Sequence, residues 1–236
     1  MITNSFKRYE LKYLLTREQF DAVLSAVKQN AVEDEYGKTT ILNVYYDTPD
    51  KLLIRRSVER PVYKEKLRLR SYGVADNDST VFLEIKKKYE SVVYKRRETL
   101  KFSECKTEAP QIVKDSRIAT EIRYFQDFYK NLEPSAFISY NRQAYYDVND
   151  GTTRITFDTN ILYRNYDMNL NFGVYGKEIL PPGVTLMEIK VAAAVPTWLT
   201  KVLSERKIYK TTFSKYGAAY ADMIKNKGEQ RYAKVI

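Results

Sequence analysis

The sequence contains no histidine and only one cysteine among its 236 residues. Without histidine, Ser-His and Cys-His nucleophile activation, imidazole base catalysis and most zinc sites are excluded. Any metal would have to be held by carboxylates, which favour hard ions such as Mg²⁺ or Mn²⁺. The single cysteine, Cys105, excludes an internal disulfide and agrees with a reducing compartment.

Long apolar runs are also missing. No segment approaches the roughly 20 apolar residues that cross a bilayer, and residues 1–12 are polar and charged where a signal peptide needs an apolar stretch. We therefore expect a soluble, cytoplasmic protein. Because no stretch rich in proline, glycine or serine is long enough to separate two domains, we expect one domain over residues 1–236, with 226–236 as a solvated tail.

Positive charge is in excess. Lysine and arginine number 40 against 30 for aspartate and glutamate, which gives a net charge of +10. Such a surplus favours an anionic partner, which could be nucleic acid, a membrane surface or a phosphate-rich small molecule. The alternative is that the charge serves solubility alone.

Alternating and β-rich segments predict strands, and helical spacing predicts fewer helices. The predicted strands are Phe6–Leu14, Ile41–Tyr46, Tyr63–Tyr72, Thr80–Lys87, Val92–Phe102, Phe137–Val148, Thr152–Asp158 and Val184–Val191. The predicted helices are Arg17–Gln29 with Thr16 as N-cap, a short one after Asp50, Ser116–Lys130, Pro196–Arg206 and Ser214–Asn226. Many strands in series with flanking helices indicate an α+β protein built on a mainly antiparallel sheet or barrel.

Several strands carry charge on one face and apolar residues on the other, because residues i and i+2 point the same way. The charged faces pair Glu10 with Lys12, Arg68 with Arg70, Glu84 with Lys86, Lys95 with Arg97, Arg154 with Asp158, and Glu188 with Lys190. For any single strand the simplest interpretation is that the charged face is exposed to solvent. Across the set, however, the opposite faces are consistently apolar, and the helices are amphipathic. If the sheet closes into a barrel with its helices outside, the charged faces line the lumen.

A lumen crowded with cations needs an anion to fill it. A phosphate chain would do so through charge-assisted bonds from arginine and lysine. The interspersed carboxylates could then hold a divalent ion that bridges phosphate oxygens.

Nine short motifs, in order from Ser5 to Tyr220, resemble the VTC domain, the polyphosphate polymerase branch of the triphosphate tunnel metalloenzyme (CYTH-like) superfamily. The motifs are "SFKRYELKYLL", "YYDTPD", "KLRLRSYG", "FLEIKKK", "YKRRETL", "YNRQAYY", "RITFDTNI", "LMEIKV" and "TFSKYGAAY". The resemblance implies an antiparallel eight-stranded β-barrel tunnel with flanking helices. It also implies transfer of the γ-phosphoryl group of ATP to a polyphosphate chain, with Mn²⁺ or Mg²⁺ as cofactor.

Carried over by motif position, the resemblance implies a set of site residues. The catalytic tunnel bases would be Lys12, Arg68, Arg70, Lys86, Lys95, Arg142, Arg154, Lys190 and Lys215. Glu188 would be the metal ligand. Further substrate-binding positions would be Arg97, Ser214, Glu10 and Glu84.

The chain departs from the family pattern in two ways. Thr212 stands where the pattern has a basic residue, three positions before Lys215, so one phosphate contact is in doubt unless Lys210 replaces it. The regulatory SPX domain and membrane segments of eukaryotic members are absent, which leaves room for a separate membrane partner protein.

Three rival functions remain open. An inorganic or nucleoside triphosphatase would use the same residues with water as acceptor, and a non-catalytic polyphosphate-binding module would keep them without turnover. A nucleic-acid binder is suggested by the net charge and the 21 tyrosines. It is disfavoured because the basic residues are interleaved with glutamates, which would repel a nucleic-acid backbone.

Overall fold

The computed structural model describes residues 9–59, 61–90, 92–105, 109–110, 112 and 115–233. The strands in this part of the chain are of two kinds, eight with seven or more residues and three with only two or three. They are β1 (Tyr9–Leu15), β2 (Ala31–Glu33), β3 (Thr39–Asp47), β4 (Tyr63–Tyr72), β5 (Thr80–Tyr89), β6 (Val92–Lys101), β7 (Glu133–Asp147), β8 (Arg154–Arg164), β9 (Lys177–Glu178), β10 (Thr185–Val191) and β11 (Lys210–Thr211).

Five α-helices accompany these strands in the described chain. They are α1 (Arg17–Asn30), α2 (Leu52–Val58), α3 (Arg117–Tyr129), α4 (Thr197–Glu205) and α5 (Lys215–Ala233). The predicted cap of the first helix is confirmed: the Thr16 hydroxyl accepts the Gln19 N–H, and the Gln19 side chain accepts the Thr16 N–H, which forms a capping box. None of these helices is long and apolar enough to span a membrane.

The eight long strands correspond to the eight predicted ones, and the differences lie at their ends. Residues 6–8 of the first predicted strand fall outside the described residues. Strand β8 continues six residues past the predicted end at Asp158, where Leu162 and Tyr163 pair with β9. Asn160 within it has a φ of 50°, a conformation typical of turns. Strand β7 begins four residues early and contains Pro134, a residue that argues against a strand from sequence alone.

The hydrogen-bonded strand order is β11-β1-β10-β8-β7-β3-β4-β5-β6, with β2 paired to β7 and β9 to β8. The pairs whose register is defined are antiparallel. The mainly antiparallel α+β prediction is therefore confirmed. The sheet contains eleven strands among the described residues rather than eight, since the three short strands have no alternation to reveal them, and the eight-stranded barrel is not confirmed.

The chain forms two compact units. Strands β3, β7 and β8 each have one end in the first unit and the other end in the second. The first unit comprises the described parts of Met1–Thr40, Tyr140–Ile161 and Leu180–Phe213. The second comprises those of Ile41–Ser139, Leu162–Ile179 and Ser214–Ile236. Helix α5 continues to Ala233, through most of the segment expected to be a solvated tail.

Each unit has its own apolar core. In the second unit the leucines of β4, Leu67 and Leu69, are 0% and 3% exposed and belong to one cluster with Ile122 and Phe125 of α3. In the first unit Ile155 and Met187 of the sheet cluster with residues of α1 and α4. The apolar strand faces are thus covered by helices, as the sequence predicts, and the charged faces lie on the other side of each sheet.

Candidate functional site

The charged side of β4, β5 and β6 in the second unit carries nine cations and one acid. We call it the cation face, and its charged members are Lys64, Lys66, Arg68, Arg70, Glu84, Lys86, Lys88, Lys95, Arg97 and Lys101. Strand register arranges them in rows across the sheet. The arginine row is Arg68, Glu84 and Arg97, and the lysine row is Lys66, Lys86 and Lys95.

Glu84 is the centre of this face. Its carboxylate is 1% exposed and contacts four cations. Arg68 approaches Oε2 at 2.7 Å through Nη2 and 2.8 Å through Nε, and Arg97 approaches Oε1 at 3.0 and 3.1 Å. Lys95 lies 3.2 Å from Oε1 and Arg70 lies 3.7 Å from Oε2. Both carboxylate oxygens are therefore engaged with protein cations.

The pKa of Glu84 reflects this surrounding charge. Burial alone would raise the pKa, but the charges of Arg68, Arg70 and Lys95 and the hydrogen bond from Arg68 outweigh it. The net result is a pKa well below the ordinary value for glutamate. Glu84 therefore stays ionised at neutral pH and acts as the counter-ion of the surrounding arginines and lysine.

Neutral side chains fix the two arginines of β4. Asn43 of β3 accepts the Arg70 Nε–H at 2.9 Å and donates to the Ile138 carbonyl at 3.0 Å. The Tyr45 hydroxyl lies 3.2 Å from Arg68 Nη1. Because each guanidinium has a second partner besides Glu84, its orientation is set before any ligand arrives.

The start of α5 adds Ser214 and Lys215 to the second unit. The Ser214 hydroxyl caps the helix by accepting the Gly217 N–H at 3.2 Å, and it also accepts Lys66 Nζ at 3.2 Å. The Lys66 ammonium lies 5.6 Å from the centre of the Tyr216 ring. Sequence reasoning missed Lys66, although it shares the i, i+2 spacing of Arg68 and Arg70.

Asp47 explains the one motif without a basic residue, "YYDTPD". Its buried carboxylate accepts the N–H groups of Leu53 and Ile54 at 2.8 and 3.0 Å, at the beginning of α2. It also accepts the Tyr216 hydroxyl at 2.9 Å. Asp47 therefore holds the first turn of α5 in place within the second unit.

In the first unit, acids and bases face each other across β1 and β10. Register places Lys12 opposite Glu188, and Glu10 opposite Lys190. Lys190 is in turn opposite Arg154 of β8. The ammonium of Lys12 lies 3.3 Å from Glu188 Oε1 and donates to the Phe213 carbonyl at 3.0 Å. This face is far closer to charge balance than the cation face.

Arg142 and Arg154 each have an acidic partner in the first unit. Arg142 donates to both oxygens of Asp158, at 2.6 and 2.7 Å, and lies 3.7 Å from Glu188. Burial would lower the pKa of Arg142, but the charge of Asp158 more than offsets it and the pKa is raised. Arg154 pairs with Asp34 at 3.1 Å. Asp158 and Asp34 were not among the expected site residues, although Asp158 shares the charged face of its strand.

The predicted site residues therefore fall into two groups. The second unit contains Arg68, Arg70, Glu84, Lys86, Lys95, Arg97, Ser214 and Lys215, and the first unit contains Glu10, Lys12, Arg142, Arg154, Glu188 and Lys190. Lys210, the expected substitute for a base at Thr212, lies opposite Tyr13 in register. That is the face of β1 that does not carry Lys12.

The carboxylates were tested for their fit to a divalent ion. Among the described residues no three acidic or sulfur ligands lie close enough together to hold a metal ion by themselves. Glu188 offers a hard carboxylate oxygen and is buried, at 6% exposure. Mg²⁺ and similar ions commonly bind one or two carboxylates together with substrate phosphates and water. Glu188, with Lys12 at 3.3 Å and Arg142 at 3.7 Å, is less crowded by cations than Glu84 with its four, and it fits such an ion better when phosphate oxygens complete the ligand set.

Together, the fold and the strand faces define an α+β protein of antiparallel strands with a surface suited to a polyanion. The VTC domain model matches residues 7–224, and the chain belongs to this family. The family prediction made from the nine motifs is thereby confirmed. The comparison with curated proteins found no match.

Solved structures share the fold at low sequence identity. HpAC1 from Hippeastrum, described as a "putative adenylyl cyclase" with a dominant triphosphatase activity, is 16% identical with a TM-score of 0.54. The alignment covers 92% of this chain and 96% of that one. A "putative adenylate cyclase" from Bacillus halodurans is 15% identical with a TM-score of 0.54, over 88% of this chain and 95% of that one. At this identity the likeness concerns the fold alone.

Proposed function

We propose that the protein is a polyphosphate polymerase that binds ATP and inorganic polyphosphate and transfers the γ-phosphoryl group of ATP to the chain. The observation that carries this proposal is the cation face, where one carboxylate, Glu84, stands among nine lysines and arginines. So many side chains of one sign on neighbouring strands favour a ligand of the opposite charge. A chain of phosphates offers many negative charges in linear form.

The proposed reaction requires little covalent chemistry from the protein itself. Phosphoryl transfer depends mainly on positioning and on neutralising the phosphate oxygens. The terminal oxygen of the polyphosphate chain attacks the γ-phosphorus, the bond to the β–γ bridging oxygen breaks, and ADP leaves. The attacking oxygen is already anionic at neutral pH, so the absence of histidine is no obstacle.

The residues take separate roles in this scheme. Arg68 and Arg70, with Arg97, Lys86 and Lys95, bind phosphate oxygens on the cation face. In the first unit Lys12, Arg142, Arg154 and Lys190 supply further cations, with Lys12 held by Glu188 and Arg142 by Asp158. Glu188 would hold Mn²⁺ or Mg²⁺, which would neutralise charge on phosphate oxygens when bound. Ser214 and Lys215 contribute from the start of α5.

Several broader expectations belong to the same proposal. The chain would act as one VTC-type tunnel domain, and the eight long strands would close into the barrel that the resemblance implies. The protein would work in the cytoplasm, with a separate membrane partner where its product is transported. Nucleic acid is not an expected ligand.

A triphosphatase is the second candidate. The phosphate-binding groups would be the same, with water as the acceptor. The triphosphatase activity described for HpAC1 supports this candidate, since that protein shares the fold. A polyphosphate-binding module without turnover is the third.

Incubation of the pure protein with ATP and Mn²⁺, followed by gel sizing of the products, tests the proposal. Long polyphosphate chains are expected. Free phosphate without chains would favour the triphosphatase, and binding of polyphosphate without turnover would favour the binding module. The variant Glu188→Gln should lose metal-dependent turnover while it still binds tripolyphosphate in the presence of a chelator. Unchanged turnover in this variant would remove Glu188 as the metal ligand.

A further inference from the structure

One end of the cation face carries two aromatic rings beside the arginine row. Within the described chain, Tyr72 and Phe82 are the aromatic side chains that β4, β5 and β6 place on this face. Tyr72 continues the i, i+2 series of β4, and Phe82 lies opposite Arg70 in register. The two ring centres are 5.7 Å apart and the ring planes meet at 79°, an edge-to-face contact. We call Tyr72 and Phe82 the aromatic pair.

We propose that the aromatic pair binds the base of ATP by stacking, while the arginine row beside it binds the phosphates of the same molecule. This inference rests on the proposed function, because it takes ATP as the phosphoryl donor. The site residues implied by the nine motifs include neither ring. The aromatic pair is the part of the site that would separate a nucleotide from an inorganic phosphate chain.

Tyr72 presents an accessible ring from a well-defined backbone. It is the last residue of β4, and it is 50% exposed. The Ser71 hydroxyl donates to the Gly73 carbonyl at 2.8 Å, and Gly73 takes a φ of 83°, so the chain turns directly after the ring. The strand on one side and the turn on the other therefore fix the position from which the ring can meet a ligand.

Arg97 joins the aromatic pair to the charged part of the face. Its guanidinium carbon lies 4.5 Å from the centre of the Phe82 ring, and its Nη2 and Nε atoms contact Glu84 at 3.0 and 3.1 Å. Proteins commonly hold unpaired bases by stacking them on aromatic rings with arginine nearby. This end of the face therefore suits a ligand with an aromatic ring at one end and negative charge at the other.

The spacing along β4 fits a nucleoside triphosphate. Tyr72 lies two residues from Arg70, which is about 6.8 Å along a strand. A base stacked on Tyr72 would place the ribose over this gap and the phosphates over the arginine row. At the other end of the face Lys64 and Lys88 lie opposite each other. The aromatic pair thus gives the nucleotide a direction, with its base at the Tyr72 end and its γ-phosphate towards the lysines.

Isothermal titration with ATP and with tripolyphosphate tests this assignment, in the presence of a chelator so that metal binding at Glu188 does not contribute. The test variant is Tyr72→Leu, which removes the ring and keeps an apolar side chain. The matched control is Tyr89→Leu. Tyr89 is 51% exposed and is the last residue of β5, on the face of the sheet opposite the cation face.

We expect Tyr72→Leu to weaken binding of ATP about tenfold, the effect of one lost base-stacking contact. GTP should lose the same factor, because every base has a face that can stack. Tripolyphosphate has no base and should bind Tyr72→Leu with the wild-type affinity. Tyr89→Leu should bind all three ligands as the wild type does.

The variant Tyr72→Trp gives a second measurement, which remains available if Tyr72→Leu is unstable. ATP should quench the fluorescence of the introduced indole, whereas tripolyphosphate should not. The wild type, whose single tryptophan is Trp198, supplies the background signal. Equal responses to ATP and tripolyphosphate after subtraction of this background would contradict stacking at Tyr72.

The outcomes separate this inference from the proposed function. If Tyr72→Leu and Tyr89→Leu bind ATP with equal affinity, the base assignment is overturned while the proposed function stands. Equal losses of ATP and tripolyphosphate binding in Tyr72→Leu would also overturn it, because the ring would then support the phosphate contacts or the fold. A wild-type protein that binds neither ligand would overturn the proposed function, and this inference with it.

Discussion

At the scale of single residues, Glu84 orients the cations of the cation face when no ligand is bound. Its carboxylate is enclosed by two arginines that contact it through paired nitrogens, by Lys95 and by the more distant Arg70. An anion in this position holds the guanidinium groups in place before a phosphate arrives. Glu84 is then a positioning residue, and its role differs from that of a substrate contact.

The variant Glu84→Gln should separate these roles. Loss of a buried counter-ion leaves the surrounding cations uncompensated and should lower the free energy of unfolding by about 2–3 kcal/mol, since some partners are exposed. For a chain of this length the expected fall in Tm is roughly 4–10 °C. Tripolyphosphate should raise the Tm of Glu84→Gln more than that of the wild type, although turnover falls. A purely structural role would lower Tm without enlarging this shift.

Glu84 also makes the stability of the folded protein depend on pH. The folded-state pKa of Glu84 is lowered, so its contribution to stability is present above the ordinary glutamate pKa and is lost as pH falls through the lower folded value. Between pH 7 and pH 5 the difference in Tm between wild type and Glu84→Gln should stay constant. It should shrink only in strongly acidic solution. A difference that vanishes near pH 5 would contradict the assigned ion pairs.

The sequence predicts the direction of these side chains better than their partners. Alternation alone places Arg68 and Arg70 opposite the buried Leu67 and Leu69. It cannot show which strand lies beside which, so the four cations around Glu84 become visible only through the register of β4, β5 and β6. Asp158 was missed as the partner of Arg142 for the same reason.

At the scale of elements, the start of α5 is tied to the start of α2. Asp47 accepts hydrogen bonds from the first turn of α2 and from Tyr216, whose hydroxyl also lies 2.7 Å from Ser135 Oγ. Burial, followed by the charge of Asp47, raises the pKa of Tyr216 far above the ordinary tyrosine value. The hydroxyl is therefore a permanent donor that fixes the helix turn carrying Ser214 and Lys215.

Tyr216→Phe should loosen this turn. Removal of a buried hydroxyl that bonds to a carboxylate should cost about 1–3 kcal/mol of stability. Because Ser214 sits two residues away, polyphosphate affinity should fall as well, which titration can measure. The matched control is Tyr209→Phe, since Tyr209 is 78% exposed. Equal affinities for the two variants would show that the turn does not depend on this bond.

Element ends were the least predictable part of the fold. Regular alternation locates β4 at its observed bounds, Tyr63–Tyr72, because lysines and arginines occupy one face from Lys64 to Arg70 while Leu67 and Leu69 lie on the other. The short strands β2, β9 and β11 have two or three residues and no period to detect. The extension of α5 to Ala233 lacks an apolar stripe that could have predicted it.

At the scale of the whole molecule, the net charge of +10 and its concentration on the cation face make stability depend on anions. Sub-millimolar tripolyphosphate should raise Tm, since a ligand at 100 times its Kd stabilises the folded state by about 2.7 kcal/mol. That corresponds to a rise of roughly 5–10 °C. Sodium chloride at equal ionic strength should produce no comparable rise.

The double variant Arg68→Gln, Arg70→Gln supplies the control for this shift in thermal melting. It removes two cations of the face and should lose most of the effect of tripolyphosphate. A shift of equal size in the double variant would place the responsible anion site elsewhere in the protein.

If the cation face binds phosphate chains as proposed, the ligands bound to β4, β5 and β6 depend on the surrounding solution. Inside a cell, nucleotides, inorganic phosphate and polyphosphate should compete for the same nitrogen atoms by mass action. We expect protein purified from cells to carry such anions until concentrated salt removes them. Citrate or phosphate buffers should then compete with a phosphate-chain ligand, and the measured affinity should vary with the buffer chosen.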